Sequence, residues 1–516
     1  MLNYKIKSAK DMTIDELIGQ VIMVGLPYDY LDQDYKKFIK DYKIGNYILF
    51  ARNYVDSMQM KSFMKDLYIY TENVTGSFPL VSIDQEGGMV VRLFKDVTFA
   101  ASPLTTTFTS VLNAPYITGN IIGKDMLKHG ISINLAPCLE INENLVNPLF
   151  NVRGYGANKE IVVKNAGLFV KGTKDSGALS CIKHFPGAGS STKDSHLELP
   201  IIDDSKEQLL NYNMYPFSKL INSDCLMTSH CIYSSFDEIP STLSKVLLTD
   251  VLRKEMNFEG LIISDGMEMN AIKDYYGIGE GCVMALNAGC DILLLCHEYE
   301  LQKEAFDKVK QAVLDGRIKK EILIDKVERI NTAKAKVKTK LLEYFNDLPY
   351  EVVLEEHQIM EEIVNNSYTL IKGNAPSLTN KTLIIASNAK VGSIVEDEFD
   401  DRNLANALKH NFPNHKVLKY EPTNSFNEEV LNNIDLYDRI IFYSYDAYRD
   451  SIQLDIINTL LTMNKDIYIV SIKGLSDMPY FDNLINYACL FEYTPNSIKT
   501  IIKQLKNEIV LNKRIS

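Results

Sequence analysis

Eight short apolar runs punctuate roughly the first 300 residues, and most of them end in a charged or imidazole side chain. They are QVIMVGL (20–26), NYILFAR (46–52), PLVSID (79–84), SINLAPC (132–138), LSCIKHF (179–185), CLMTSHC (225–231), GLIISDG (260–266) and DILLLCH (291–297). An apolar run without polar alternation is a strand covered on both faces, the habit of parallel sheets. Amphipathic stretches such as SMQMKSFMKDLYIYTEN and SKVLLTDVLRKEM lie between most of the runs, and parallel strands need such crossovers. Eight strand–helix units in about 300 residues match the size of a (β/α)8 barrel. Arg52, Asp84, Lys183 with His184, Ser229 with His230, Asp265 and His297 stand at the carboxyl ends of their runs. That is the end at which a barrel carries its active site. An open doubly wound sheet also gathers polar residues at strand ends, so this clustering favours the barrel only in part.

Beyond residue 300 helical patterns run to Glu343, followed by polar connections through NDLPYEVV and KGNAPSLTNK. A second alternation then begins: TLIIASN, HKVLKYE, RIIFYSY, DIYIVSI and ACLFEY, separated by amphipathic segments such as IQLDIINTLLTM. Five such strands predict a flavodoxin-like three-layer α/β/α domain. The expected organisation is a TIM-type barrel over 1–345, a linker over 346–378 and the α/β sandwich over 379–516. No GxGxxG or GxxxxGK[ST] loop follows the first strand of the second alternation, so nothing there predicts a nucleotide cofactor.

The chain is 46% hydrophobic and 24% charged, the composition of a globular protein. A formal charge of −12 without a local basic patch argues against a nucleic-acid partner. The longest basic run, AKAKVKTK (333–340), reads as the solvated side of a helix. No stretch reaches the roughly 18 uninterrupted apolar residues of a membrane span, and the first twenty residues lack the pattern of a signal peptide. A cytoplasmic protein with no membrane partner is expected. The eight cysteines form no CxxC pair and most sit in apolar runs, which predicts free core thiols with neither disulfides nor a metal. Nothing in the sequence sets the oligomeric state.

The stretch KHFPGAGSSTKDSHLELP (183–200) is too rich in Pro and Gly for a helix and too polar for a strand, so it is a loop. It holds Lys183, His184, Asp194 and His196 within fourteen residues. In an extended Asp-Ser-His the two outer side chains point the same way. Asp194 can then accept from one nitrogen of His196 and leave the other free for proton transfer. An Asx-turn beside a solvated histidine is the structural alternative. His184, His196 and His230 fall within one 47-residue window, each at a strand end or in the loop beyond. No HExxH or Cys/His cluster accompanies them, and Lys183 would repel a cation, so no metal is expected. Asp265 ends an apolar strand with a lone carboxylate, which needs a partner or a task. A nucleophile or a metal ligand are the functional options, and a helix N-cap the structural one. Asp84-Gln85-Glu86-Gly87-Gly88 with Arg92 repeats the theme of an acidic strand end beside glycines and a cation. Acids, a paired histidine and several cations around one mouth, without phosphate motifs, suit a neutral polyhydroxylated ligand, a sugar.

In order, GNYILFARN, SIDQEGGMVVRL, INLAPCLEINEN, FNVRGYG, KHFPGAGSSTKDSHLELP, MTSHCIY, STLSKVLLTDVLRKEMNFEGLIISDGMEM and ALNAGCDILLL resemble glycoside hydrolase family 3, in its β-N-acetylglucosaminidase branch. The resemblance runs from Met12 to about Leu342, and the second α/β segment resembles the further domain many members carry. It implies a retaining mechanism with Asp265 as nucleophile, His196 as acid/base and Asp194 orienting His196. Asp84, Arg92, Arg153, Lys183 and His184 match the positions that hold the sugar hydroxyls, and His230, near the site at the end of strand six, is expected to be substrate-binding with them. The implied activity is removal of non-reducing N-acetylglucosamine, with peptidoglycan-derived fragments as the expected source and no cofactor. The sequence departs from the family pattern at Ala188 and Ser190, at Met89 where Arg is frequent, and at Gly266 where Asp or Ser is common. A phosphorylase is an alternative, because a histidine acid/base does not repel incoming phosphate. A β-glucosidase is another, although that branch lacks the KHFPG…DSH loop. A non-catalytic carbohydrate-binding protein is the alternative from a different class.

Overall fold

The computed structural model describes residues 5–142, 150–187, 199–346, 353–387 and 403–513. Its eight N-terminal parallel strands are β1 (Ile22–Gly25), β2 (Asn46–Leu49), β3 (Leu80–Ile83), β4 (Ile133–Asn134), β5 (Leu179–Phe185), β6 (Cys225–Thr228), β7 (Leu261–Gly266) and β8 (Ile292–Leu295). They pair in chain order, and β8 closes on β1 with Ile22 opposite Leu293. The expected (β/α)8 barrel is therefore observed, with a strand in each of the eight apolar runs. Two ladders lose register: β5 gains a residue against β6 between Ile182 and Phe185, and β7 gains one against β8 between Ile263 and Gly266. Such bulges re-aim side chains. Here they fall on Lys183–His184 and on Asp265.

The surrounding helices start and stop where local chemistry requires. Thr13 and Glu16 close a capping box on Ile14–Val21, Asp56 caps Ser57–Thr75, and Asn158 accepts from the Glu160 and Ile161 amides at the head of Lys159–Ser176. Gly76 and Gly177 end the latter two helices in the left-handed region, as a C-terminal glycine can without steric cost. At the amino end of the barrel, buried Asp291 accepts from the Ile262 amide and pairs with both Arg253 and Arg329. Charge there serves stability rather than chemistry. All eight cysteines are free and buried.

One buried cation has no such balance. Lys334, on helix Lys320–Asn346, is fully buried, its Nζ contacts Gln20 Oε1 at 2.5 Å, and burial pushes its ammonium down to about 7. The unfolded chain binds that proton up to the usual lysine range near 10.5, so between about pH 7 and 10 the unfolded state holds more protons and stability rises with pH. Urea unfolding at several pH values should show wild type gaining about 1 kcal/mol per pH unit relative to Lys334→Met across that window. Parallel curves for the two proteins would refute the account.

The second domain has seven strands: β9 (Thr369–Lys372), β10 (Thr382–Ala386), β11 (Lys416–Lys419), β12 (Arg439–Ser444), β13 (Asp466–Ser471), β14 (Asn486–Cys489) and β15 (Asn512–Lys513). Their order is β11-β10-β12-β13-β14-β9-β15. The first five are parallel in the 2-1-3-4-5 arrangement of flavodoxin-like sheets, as expected. Strand β9 runs antiparallel to β14 and parallel to the edge strand β15. Residues 346–378, expected as a linker, hold more than a connection. Helix Leu354–Asn365 buries Met360, Ile363 and Val364 against Ala101, Ala114 and Ile121 of the barrel domain, and β9 belongs to the second sheet. Burial of that apolar face outweighs the polar look of the flanking residues.

The two domains meet over the loop that follows β3. Phe108 stacks on Phe491 at 4.1 Å between ring centroids. The Ser102 amide donates to Glu492 Oε2 at 2.7 Å and the Ser102 hydroxyl to the Phe491 carbonyl at 3.0 Å. Among the described residues no helix is long and apolar enough to cross a membrane.

Candidate active site

At the carboxyl mouth of the barrel Asp84 and Glu86, which follow β3, Lys183 of β5 and Arg153 form one buried ionic network. Lys183 Nζ lies 2.7 Å from Asp84 Oδ1 and 2.8 Å from Glu86 Oε1. Arg153 grips Glu86 with two bonds, Nε to Oε2 at 2.9 Å and Nη2 to Oε1 at 2.8 Å. Lys183, Glu86 and Arg153 are all buried. Burial alone would raise the Glu86 carboxyl, but the charges of Arg153 and then Lys183 reverse this and hold it well below the usual carboxylate range. Lys183 responds in the opposite sense: burial favours its neutral form, and Asp84 and Glu86 outweigh this and raise its ammonium. Both groups therefore stay charged across the physiological range. Paired charges of this quality are the arrangement in which a low-dielectric interior tolerates ions.

The loop geometry brings Glu86 to this position. Gly87 (φ 98°) and Gly88 (φ 61°) turn in the left-handed region, and a Cβ on either would stand 2.3 Å from the Ala101 carbonyl oxygen or 2.4 Å from Ser102 Cβ. Only glycine fits so near a neighbouring backbone. Met89, one of the departures from the family pattern, is buried among the second domain's apolar residues. Arg92 closes this loop, its amide donating to Gln85 Oε1 at 2.8 Å; it is buried and lies near enough to act electrostatically on His297.

His184 is held by Glu140, whose Oε1 accepts from both the His184 amide and Nδ1 at 2.8 Å. With Nδ1 donating to the carboxylate, Nε2 is the ring atom left for a ligand. Cys138 Sγ, a Glu140 oxygen and a His184 ring nitrogen lie within 4.8 Å of one another, the spacing of a metal trio. Burial raises the Cys138 thiol, and Glu86 and Glu140 act in the same direction against Arg153 and Lys183. A protonated thiol beside two cations is a poor ligand.

Asp265 stands at the end of β7 and is partly exposed, with its Oδ1 accepting from the Gly266 amide at 2.8 Å. The thiols of Cys181 and Cys296 are raised, by burial first, and the carboxylates of Asp84 and Asp265 both contribute. Both acids thus lie within electrostatic reach of the same two thiols. A Cβ on Gly266 would meet Cys296 Sγ at 3.6 Å, an ordinary contact, so the backbone does not demand glycine there.

His230 differs from what the sequence suggests. It is buried, Nδ1 lies 2.8 Å from Thr242 Oγ1, and Nε2 lies 2.9 Å from the Gly266 carbonyl. A carbonyl only accepts, so Nε2 carries a proton. With both nitrogens engaged by protein, His230 ties the end of β6 to the peptide that follows Asp265, behind the mouth.

Asp194, His196, Ala188 and Ser190 lie outside the described residues, but both ends of their loop are anchored. The Ser229 amide donates to the Phe185 carbonyl (2.8 Å), the Tyr233 hydroxyl to the Gly187 carbonyl (2.6 Å) and the Ile232 amide to the Pro200 carbonyl (2.9 Å). The segment after β6 thus holds both ends.

Glu86 and Glu140 are the members of this site that sequence reasoning did not single out. Each follows an apolar run by two residues, at the same carboxyl end as the residues that were singled out. That position was the available signal.

An eight-stranded parallel barrel with a charged network and a partly exposed aspartate at its carboxyl mouth has the layout of a barrel enzyme that handles sugars. The chain belongs to glycosyl hydrolase family 3: the pattern of the glycosyl hydrolase family 3 N terminal domain matches residues 13–333. A β-hexosaminidase of Photobacterium profundum is 30% identical over 313 residues, which are 59% of this chain and 90% of that protein. β-Hexosaminidase A of Pseudoalteromonas piscicida is 28% identical over 375 residues; the match takes 64% of this chain and spans 62% of that relative's length. Both domains are similar to the structure of a glycoside hydrolase family 3 β-N-acetylglucosaminidase from a Paenibacillus species. The identity is 28% and the TM-score 0.89, over 98% of this chain and 99% of that one.

Proposed function

We propose that the protein is a retaining exo-β-N-acetylglucosaminidase that removes non-reducing terminal N-acetylglucosamine from a glycan, with peptidoglycan-derived fragments as substrate. The observation that supports this reading most is the partly exposed Asp265 at the end of β7 in the mouth that holds the Lys183–Asp84 pair. The names of the hexosaminidase relatives and of the Paenibacillus structure agree with it. The cytoplasmic location expected from the sequence belongs to the same proposal.

In this reading Asp265 attacks the anomeric carbon and the glycosidic bond breaks, with His196 delivering a proton to the departing oxygen. The glycosyl–Asp265 ester is then hydrolysed by water, whose proton His196 takes. Asp194 orients His196. Asp84, Lys183 and His184 hold the sugar hydroxyls together with Arg92, while Arg153 acts through Glu86. His230 fixes the peptide behind Asp265 rather than touching the sugar.

The test separates the acid from the nucleophile. His196→Ala should slow a disaccharide substrate by on the order of a hundredfold or more, the usual contribution of a general acid. It should affect an activated aryl N-acetylglucosaminide far less, since that leaving group departs without a proton. Equal losses on the two substrates would remove His196 from the role. Running the same assay with and without inorganic phosphate distinguishes free N-acetylglucosamine from its 1-phosphate as the product, and free sugar is expected in both.

A further inference from the structure

The barrel's site loops rest on the second domain. Met89, in the loop that carries Glu86 and Arg92, and Val152, beside Arg153, are buried in the same apolar cluster as Ile472 and Phe491. A polar clasp lies next to them. Asn151 is buried, and its Nδ2 donates to the Lys473 carbonyl at 3.3 Å and to Ser476 Oγ at 2.9 Å. Gly474 comes so close that a Cβ there would stand 2.9 Å from Asn151 Oδ1. On the barrel side, the Arg153 amide donates to the Phe150 carbonyl at 3.1 Å, so Asn151 and Arg153 belong to one tight turn. In the second domain, Lys473 Nζ lies 3.2 Å from Asp446 Oδ2 and 5.0 Å from the centroid of the Tyr445 ring. The loop that follows β13 is thereby held at both ends of its contact.

We propose that residues 473–476 are a positioning element for the barrel's sugar site: by clasping Asn151 they set the turn that aims Arg153 at Glu86, and through Glu86 the seat of Lys183. The inference rests on the reading of that ionic network as the sugar-binding side of the mouth. None of these second-domain residues need touch substrate. Their effect travels through a hydrogen bond, a close backbone approach and a salt bridge, each with named atoms. A site whose geometry depends on a neighbouring domain should loosen when the clasp is cut and the charged residues are left in place.

Two readouts on the full chain test this. In the ligand-free protein, hydrogen–deuterium exchange of segments 84–92 and 150–155 should quicken in Gly474→Ala and in Ser476→Ala, and Ser476→Thr should return it to the wild-type rate. In kinetics with an activated N-acetylglucosaminide, Asn151→Ala should raise KM about fivefold, the worth of one net hydrogen bond, with kcat changed by less than about twofold, as for lost uniform binding. The double variant Asn151→Ala/Arg153→Ala should be no worse than Arg153→Ala alone, because Asn151 acts through Arg153. Unchanged exchange at 150–155 in both second-domain variants, or additive kinetic losses, would overturn the proposal. If the wild-type chain turns over no N-acetylglucosaminide, the functional reading falls, and the exchange measurement alone then decides this inference.

Discussion

Asp265→Ala is expected to lower turnover of an activated N-acetylglucosaminide by on the order of 10⁴-fold or more, because it removes the group that forms the covalent intermediate. The leaving group of such a substrate needs no proton, so the loss reports on the nucleophile rather than on His196. Asp265 is partly exposed at the end of β7, and its Oδ1 accepts from the Gly266 amide. A small external nucleophile supplies the sharper readout. Azide entering the space vacated by the carboxylate should restore release of the aglycone. It should yield the glycosyl azide of inverted configuration, since one displacement then replaces two. Turnover within about tenfold of wild type, or azide rescue with retention, would take the nucleophile's role away from Asp265.

Glu86→Gln is expected to cost stability as well as activity. The side chain keeps its size but loses the charge that Arg153 and Lys183 share, leaving two buried cations without their common counter-ion. Breaking a buried pair from one side typically costs about 3–5 kcal/mol. The pH dependence fixes the sign. The Glu86 carboxyl is depressed in the folded protein, so its stabilising contribution is present above its ordinary value of 4.5 and fades as pH falls below it towards the folded value. Urea unfolding from pH 3 to 7 should therefore show wild type losing stability on acidification relative to Glu86→Gln, with the largest gap at neutral pH. A gap that stayed constant with pH would mean that the Glu86 charge is not what stabilises the network.

Much of this architecture could be read from the chain. Parallel strands are covered on both faces, so each of the eight barrel strands appears as an uninterrupted apolar run, and the polar residue that breaks each run marks the mouth. Asp84, Lys183, His184 and Asp265 were legible for that reason. Glu86 and Glu140 were not, because what distinguishes them is pairing across the fold: Glu86 meets Arg153 at a separation of 67 residues and Glu140 meets His184 at 44. The register irregularities that re-aim Lys183, His184 and Asp265 were invisible too, since an extra residue in a ladder is defined only against the partner strand. His230 looked like a mouth residue because it follows β6 directly; its burial against the Gly266 carbonyl depends on the neighbouring strand. The polar composition around helix Leu354–Asn365 hid an apolar face that has meaning only beside Ala114 and Ile121.

That same helix has a consequence for how the molecule can be divided. It packs on the barrel through Met360 and Ile363, and Lys124 pairs with Glu356 at 3.2 Å, while Asn365 accepts from the Thr500 hydroxyl of the following domain at 2.8 Å. One short helix is thus a shared wall between two rooms. A cut at residue 345 would strip the barrel of a cover it owns, and a cut after Asn365 would take from the second sheet a fastening it owns. Recombination or engineering that exchanges the rear module must carry this wall along with one half and rebuild its other face, so the seam visible in composition is not the seam along which the protein comes apart.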